Sequence, residues 1–234
     1  MSVIAVIPAR GGSKRIPRKN VKPFRGKPMI AWAIETAIKS HCFDFVIVST
    51  DDDEIKEVAT QYGALVPFRR APELSDDNTG TFRVVQDAVQ RFEAGSEMRA
   101  GRVCKILPTS PLLGVTQLQE GGRRVDDPDT AFVFSIARSP VQIFRTFELK
   151  SDGRIKMFWP ENHPKRSQDL QQAYYDAGKF YWGTRDSFMR NTPVLLDAQS
   201  RGLEIPWWMA TDIDDDDDWS RAEWLASTFN QEAG

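Results

Sequence analysis

A glycine-rich, basic segment follows the first apolar run of the chain. The stretch IPARGGSKRIPRKN spans residues 7 to 20, and from Arg10 to Lys27 there are eight lysines and arginines and no carboxylate. Adjacent glycines can turn backbone N–H groups towards an anion, because glycine accepts the positive φ that such turns need. This concentration of donors suits the roughly four negative charges of a triphosphate better than a monophosphate. We therefore predict a nucleoside triphosphate site here.

The donors expected near the phosphates are the side chains of Arg10, Lys14, Arg18 and Lys19 and the amides of Gly11, Gly12 and Ser13. The segment is not a Walker A loop, and the chain contains no G-x-G-x-x-G sequence. The residue types alone leave a second interpretation open. A run of charge is often only a hydrated surface turn that binds no ligand.

Alternating strands and helices are expected to position this segment. The apolar, β-branched runs at 3–8 and 43–50 are typical of strands that are buried on both faces of a parallel sheet. Further strands are predicted at 64–68, 102–108 and 130–137, and helices at 28–40, 51–63 and 79–92. This order predicts an α/β fold with a doubly wound, mostly parallel, Rossmann-like sheet, whose ligand site lies beyond the carboxyl ends of the strands.

The alternation of strands and helices stops after residue 137. Residues 138–172 are rich in proline, arginine, glutamine and aromatic side chains, and include a predicted hairpin that turns at Asp152-Gly153. A strand-like run returns at 173–183, and a strand, an acidic turn and an amphipathic helix follow near the end of the chain. We predict a single domain, residues 1–234, in which 138–172 form an inserted arm. So short a segment cannot bury its apolar side chains alone, so we expect the arm to pack on another subunit.

Composition narrows the class of protein. A net charge of −2 argues against a general nucleic-acid binder, which usually has a basic domain. No apolar run approaches the ~18 residues of a membrane-spanning helix, so no membrane partner is expected. Cys42 and Cys104 lack the spacing of metal ligands, and we expect them to be reduced thiols of a cytoplasmic protein.

The basic motif resembles the signature of the sugar-activating cytidylyltransferases, the family that couples CTP to sialic acid, its relatives or Kdo. The resemblance continues in VIVSTDDDEIKEVA (46–59), PTSPL (108–112) and DIDDDDDW (212–219), in the same order and over essentially the whole chain. It implies a homodimeric enzyme in which the anomeric hydroxyl of the sugar attacks the α-phosphate of CTP and pyrophosphate leaves. Such a transfer depends mainly on positioning and on charge neutralisation.

The resemblance also implies roles for individual residues. CTP would be held by Arg10, Gly11, Gly12, Ser13, Lys14, Lys19 and Asn20, with Thr79, Gly80 and Thr81 around the cytosine and ribose. Asp212 and Asp214 match the paired acids that bind a divalent metal, and Mg²⁺ takes one or two carboxylates plus phosphate oxygens. Arg10, Lys14 and Asp214 are the candidate catalytic residues. Asp215 to Asp218 have a simpler role, as the N-terminal cap and dipole partner of the last helix.

Two later motifs resemble one branch of the family. PENHPKRSQDL (160–170) and YYDAGKFYWG (174–183) are similar to the enzymes acting on pseudaminic acid. The sialic acid enzymes have Gln and Arg where this chain has Leu107 and Leu113. We expect the sugar to be bound by Arg166, Ser167, Gln168 and Asp176. Legionaminic acid, sialic acid and Kdo are alternative substrates, and a non-catalytic nucleotide- or RNA-binding domain is a more remote alternative.

Overall fold

The computed structural model describes residues 1–190 and 192–229. In chain order its strands are β1 (Ser2–Pro8), β2 (Pro23–Phe24), β3 (Lys27–Pro28), β4 (Phe45–Ser49), β5 (Ala100–Ile106), β6 (Phe132–Arg138), β7 (Phe147–Leu149), β8 (Ile155–Met157), β9 (Tyr174–Thr184) and β10 (Ser200–Glu204). The α-helices are α1 (Met29–Lys39), α2 (Asp53–Gln61), α3 (Thr81–Ala94), α4 (Val115–Arg124), α5 (Arg185–Met189) and α6 (Asp216–Phe229). Across these ranges no helix is both long and apolar enough to cross a membrane.

Six strands form one sheet in the order β10-β6-β9-β5-β1-β4. β1 pairs in parallel with β4 and β5, and β6 pairs in parallel with β10. β9 runs antiparallel to both β5 and β6. The sheet is therefore mostly parallel, which confirms the predicted α/β class. The carboxyl ends of β1, β4 and β5 lie side by side, at the edge where the basic segment begins.

Helices cover both faces of this sheet. Ile4 and Val6 of β1 pack in one apolar cluster with α3, whereas Ala5 and Ile7 pack in a second cluster with α1, α2, α4 and α6. All four β1 side chains are fully buried, because a central strand between two helical layers has no face in contact with solvent. This is the doubly wound arrangement that the apolar runs predict.

Besides the short elements β2, β3 and α5, which were not predicted, the segment 64–68 and helix α4 differ from the sequence prediction. Residues 64–68 do not form a strand and make only a single bridge, from Leu65 to Ile47. Helix α4 is not predicted, because its segment VTQLQEGGRR contains two glycines, which weaken a helix. The structure explains these glycines. A Cβ on Gly121 would lie 2.5 Å from Trp182 Cδ1, so the missing side chain lets α4 approach β9 closely.

Residues 139–173 leave the sheet between β6 and β9. The predicted hairpin is confirmed as β7–β8, with Phe147 opposite Met157 and Leu149 opposite Ile155. Gly153 has the positive φ, +82°, that its turn requires. The strand and helix expected near the end of the chain are confirmed as β10 and α6. The division into a single domain with an arm stays a prediction.

Candidate active site

The basic loop between β1 and β2 is held by its own buried residues. Ile16 and Phe24 are part of the apolar core. The buried Asn20 side chain donates from Nδ2 to the backbone oxygen of Arg10 at 2.9 Å, and the Asn20 carbonyl accepts from the Ile30 amide at the start of α1. The backbone of the loop is therefore anchored at several points.

The two glycines of the loop act differently from the prediction. Neither Gly11 nor Gly12 has the positive φ that the sequence predicts. Gly11 is needed for space instead, because a Cβ there would lie 2.5 Å from Asp52 Oδ2. Its amide donates to Asp51 Oδ1 at 3.0 Å, and the Ser13 amide donates to the Gly11 oxygen at 3.0 Å. Because these two amides are already hydrogen-bonded, the side chains are the main candidates for binding phosphate.

The loop opens onto a cleft of about 530 Å³ at the carboxyl ends of the strands. Among the residues predicted to bind CTP or metal, the cleft is lined by Arg10, Ser13, Lys14, Lys19, Asn20, Thr79, Thr81 and Asp214. The predicted residues that do not line it are Gly11, Gly12, Gly80 and Asp212. Sequence reasoning missed four charged residues of its wall, which are Arg15, Arg70, Asp76 and Asp77.

The cations of the cleft pair with acids across it. Arg10 donates to Asp77 Oδ1 at 2.6 Å, and Lys14 pairs with the other oxygen of the same carboxylate. The hydrogen bonds from Lys14 and Arg10 hold the pKa of the Asp77 carboxyl below its usual value. Arg15 lies 2.9 Å from Asp214 Oδ2. A bound triphosphate would therefore compete with Asp77 for two cations that already converge on one point.

Arg70 is a buried cation in the wall of the cleft. Its Nε donates to Ser49 Oγ at 3.2 Å, and its Nη2 donates to the Ser49 carbonyl at the end of β4. Burial lowers the pKa of Arg70 to about 10, so the side chain stays charged at neutral pH. The only sequence signal for it is the pair of arginines after the predicted third strand. Its fixed charge adds to the attraction of this cleft for an anion.

Arg18, expected near the phosphates, instead stabilises the start of α2. Its guanidinium donates to Asp52 Oδ2 at 2.5 Å and also pairs with Glu54. Asp52 caps this helix by accepting from the Ile55 amide at 3.0 Å. The hydrogen bond from Arg18 lowers the pKa of Asp52 to about 2. Arg18 does not line the cleft.

The predicted acid pair lies just before α6. Asp214 lines the cleft and contacts Lys19 Nζ at 3.4 Å, while Asp212 is exposed and accepts from the Ile213 amide at 3.0 Å. In residues 1–190 and 192–229 no group of three or more His, Cys, Asp or Glu could hold a metal by itself. Both carboxylates offer the hard oxygen ligands that Mg²⁺ prefers, but only Asp214 of the two lines the cleft, so the assignment of a metal to this pair stays a prediction.

The acids after the pair cap α6, as predicted. Asp215 Oδ1 accepts from the Asp218 amide at 2.9 Å, and Asp218 Oδ2 accepts from the Asp214 amide at 3.1 Å. Asp216, Asp217 and Asp218 form the first turn of the helix, where negative charge interacts favourably with the helix dipole.

Two lysines that sequence reasoning missed are buried in the sheet beside the site. Lys179 on β9 donates to the Thr211 carbonyl at 2.8 Å, and Lys105 on β5 donates to Thr81 Oγ1 at 3.0 Å. Burial lowers the pKa of both amines, that of Lys105 to about 7. The sequence feature that could have revealed these two residues is a lysine inside an otherwise apolar strand, in VCKIL and in AGKFY.

One residue predicted for the sugar, Asp176, lies in a second cavity of about 940 Å³. The two cavities share Thr81 in their walls. The Asp176 carboxylate accepts from the Tyr181 hydroxyl at 2.5 Å and from the Gly178 amide at 2.9 Å. A polar group at the edge of an apolar cavity can orient a sugar hydroxyl or amide.

The other residues predicted for the sugar lie on the arm. Arg166 pairs with Asp169 at 2.8 Å, and Ser167 Oγ accepts from Arg145 at 3.2 Å. Gln168 is exposed in the same short helical turn. Arg166, Ser167 and Gln168 line neither cavity.

Comparison with known proteins shows the family of this chain. Residues 4–186 match the family described as Cytidylyltransferase. The chain belongs to this family. The pseudaminic acid cytidylyltransferase of Campylobacter jejuni subsp. jejuni serotype O:2 is 39% identical to it over 92% of this chain and 91% of that protein. The N-acylneuraminate cytidylyltransferase of Oncorhynchus mykiss is 36% identical over 94% of this chain and 49% of that protein.

A solved structure shares the fold. The CMP:2-keto-3-deoxy-manno-octonic acid synthetase, solved in complex with CTP, superposes with a TM-score of 0.70 at 16% identity, over 97% of this chain and 99% of that one. The family resemblance seen in the sequence is thus confirmed, and this chain is a CTP-dependent nucleotidyltransferase. The alternative of a non-catalytic nucleotide- or RNA-binding domain is not supported.

Proposed function

We propose that this cytidylyltransferase transfers CMP from CTP to the anomeric hydroxyl of pseudaminic acid and releases pyrophosphate. The observation that carries the proposal is the 39% identity, over 92% of the chain, to an enzyme named for that substrate.

The cleft supports the transfer by neutralising charge. The anomeric oxygen forms a bond to the α-phosphorus as the bond from that phosphorus to the pyrophosphate oxygen breaks, and the hydroxyl proton passes to solvent water. Negative charge grows on the leaving pyrophosphate, which Arg10, Lys14 and Lys19 would stabilise. Asn20 and Thr79 line the same cleft and would contact the cytidine.

We assign the divalent metal to Asp212 and Asp214. Bound Mg²⁺ supplies further charge neutralisation at the phosphate oxygens. Arg15 and Lys19, which pair with Asp214, hold that carboxylate at the mouth of the cleft. Because Asp214 lines the cleft and Asp212 lies outside it, the site would form fully only with the nucleotide bound.

The arm supports a homodimer. Its hairpin exposes apolar side chains, with Leu149 at 73% and Ile155 at 64% of their full accessibility. Covering them on a second subunit would remove apolar surface from water. If the subunits exchange arms, residues 166–168 would reach the sugar pocket of the neighbouring subunit.

Light scattering at micromolar concentration should report a dimer of the wild-type chain, and Leu149→Asp combined with Ile155→Asp should shift it towards monomer. A monomeric wild-type chain would contradict the assembly. The proposal also places the enzyme in the cytoplasm, where its free cysteines, Cys42 and Cys104, would stay reduced.

Pyrophosphate release from CTP with a panel of acidic sugars tests the substrate. We expect the kcat/KM for pseudaminic acid to exceed that for sialic acid by at least about 100-fold, because a pocket built for one set of polar groups leaves them unpaired with another. Legionaminic acid and Kdo complete the panel, and UTP in place of CTP is the nucleotide control. Efficient turnover of sialic acid would overturn the assigned sugar but not the family.

A further inference from the structure

In the part of the chain that the structure describes, the buried amine of Lys105 has no acidic partner. It lies in the middle of the sheet, on β5, with 4% of its surface exposed. Its Nζ donates to Thr81 Oγ1 at 3.0 Å and lies 3.8 Å from the centre of the Tyr181 ring and 4.4 Å from that of Phe82. Within the described residues, no carboxylate oxygen lies within 4.0 Å of this amine. Buried ammonium groups are rare unless they are paired.

The surroundings of Lys105 favour its charge only weakly. The faces of the two aromatic rings attract a cation, but by less than an ion pair would in a buried site. The carboxylate whose charge favours the protonated amine is that of Asp176, and its oxygens already accept from the Tyr181 hydroxyl and the Gly178 amide. Burial consequently lowers the pKa of Lys105 to about 7. An anion bound beside the amine would supply the missing partner.

Lys105 lines the second cavity, at its junction with the cleft. The cavity has a volume of about 940 Å³ and includes Lys105, Asp176 and Tyr181 in its wall. Thr81, the hydrogen-bond partner of Lys105, lines both this cavity and the cleft. An anion at Lys105 would therefore sit where the two spaces meet. The volume is at the upper end of the range for small-molecule sites, which suits a whole sugar.

We propose that Lys105 binds the carboxylate of the acidic sugar and thereby directs its anomeric hydroxyl towards the α-phosphate of CTP. This inference rests on the proposed function, since it needs a nonulosonic acid as substrate. Such a sugar carries its carboxylate and its anomeric hydroxyl on the same carbon, so a contact that fixes one also places the other. Correct placement of the two reacting groups is a large part of the barrier lowering in this kind of transfer.

The other cations of this cavity are poorer candidates. Arg83 and Arg190 line it but are exposed to solvent, and Arg190 also lies 3.9 Å from Asp197. A contact between an exposed cation and a carboxylate is weakened by water and salt, whereas one in a buried site is weakened much less. Lys105 therefore has the greater effect on selection for a carboxylate.

The test compares the sugar acid with its C1 carboxamide, which has nearly the same shape and no charge. Pyrophosphate release is measured at saturating CTP for the wild type and for Lys105→Met, with Lys105→Gln as a second variant that keeps a polar side chain. The wild type should prefer the acid by about 10- to 100-fold in kcat/KM, the range for a hydrogen bond to a charged group. Both variants should lose most of this preference, while the KM for CTP stays within about threefold.

Arg83→Met, which removes an exposed cation from the same cavity, is the matched control and should keep the preference. The inference is overturned if the Lys105 variants retain the full acid-over-amide ratio, or if Arg83→Met is the variant that loses it. A wild-type enzyme that turns over no nonulosonic acid would instead overturn the proposed function, and this inference with it. The two failures are therefore distinguishable in the wild-type assay alone.

Discussion

The buried amine of Lys179 donates to the carbonyl oxygen of Thr211 at 2.8 Å, immediately before the acid pair Asp212 and Asp214. Only 1% of Lys179 is exposed. Burial lowers the pKa of this amine, and the two carboxylates oppose that effect. This hydrogen bond joins β9 to the residue before the acid pair, so we expect Lys179 to position the proposed metal ligands.

Lys179→Met should raise the Mg²⁺ concentration needed for half-maximal activity by about tenfold, since outer contacts of metal ligands affect metal affinity by this order. The midpoint of thermal unfolding should stay near that of the wild type, because methionine fills a similar volume and no buried charge remains. Lys56→Met, an exposed lysine on α2, is the control and should change neither quantity. An unchanged Mg²⁺ requirement in Lys179→Met would rule out the positioning role.

Asp214→Asn should abolish most Mg²⁺-dependent activity while thermal stability stays close to wild type. The amide keeps one oxygen of similar position but loses the charge that a hard cation requires. Asp217→Asn is the matched control, because Asp217 lies in the same acidic run but only in the first turn of α6. It should retain nearly full activity. Equal activity of the two variants would show that the metal assignment is wrong.

Arg10→Ala and Lys14→Ala should each lower CTP turnover by at least about tenfold and leave the fold intact, as expected for the loss of one charge-assisted phosphate contact. Lys22→Ala removes a cation from the same loop that contacts Asp216 and the Trp219 ring and does not line the cleft. In steady-state pyrophosphate release, the Arg10 and Lys14 variants should be slowed, whereas Lys22→Ala should turn over CTP at close to the wild-type rate. Wild-type turnover in the Arg10 and Lys14 variants would mean that the loop is only a hydrated turn.

The strands and helices that a single local sequence pattern specifies could be predicted from the sequence. The apolar runs of β1 and β4 identify buried parallel strands, and the acids before Trp219 identify a helix start. Helix α4 escaped prediction because Gly121 and Gly122 oppose helix formation locally, while their value lies in a contact with Trp182 that is far away in sequence. The sequence of one segment does not show which distant residue will pack against it.

The residues of the site also divide into those that a local sequence pattern reveals and those that depend on contacts distant in sequence. The cations of the basic loop are visible in the sequence because they are clustered, and Arg10 and Lys14 do line the cleft. Lys105 and Lys179 were missed because each is a single polar residue in an apolar strand, and their partners, Thr81 and Thr211, come from distant elements. Arg18 was expected near the phosphates because the sequence shows its charge but not its ion pair with Asp52.

Asp52→Asn should show that the Arg18–Asp52 pair stabilises the fold in a pH-dependent way. The pKa of Asp52 is lowered from 3.8 to about 2 in the folded protein, chiefly by the hydrogen bond from Arg18. The folded state therefore favours the ionised carboxylate, and this stabilisation is fully present above about pH 4 and is lost as the pH falls to about 2. Asparagine keeps an oxygen that can accept from the Ile55 amide, so the helix cap remains and the charge alone is removed.

At pH 7 the variant should be less stable than wild type by about 2 kcal/mol, at about 1.4 kcal/mol for each pH unit of pKa change. Urea unfolding at pH 7, 4 and 2.5 measures this difference, which should shrink steadily below pH 4 because the wild-type carboxylate then takes up its proton as well. Arg18→Gln removes the partner instead and should reproduce the same pH dependence. A difference that stays constant down to pH 2.5 would mean that packing around Gly11 and the start of α2, not the ion pair, accounts for the loss.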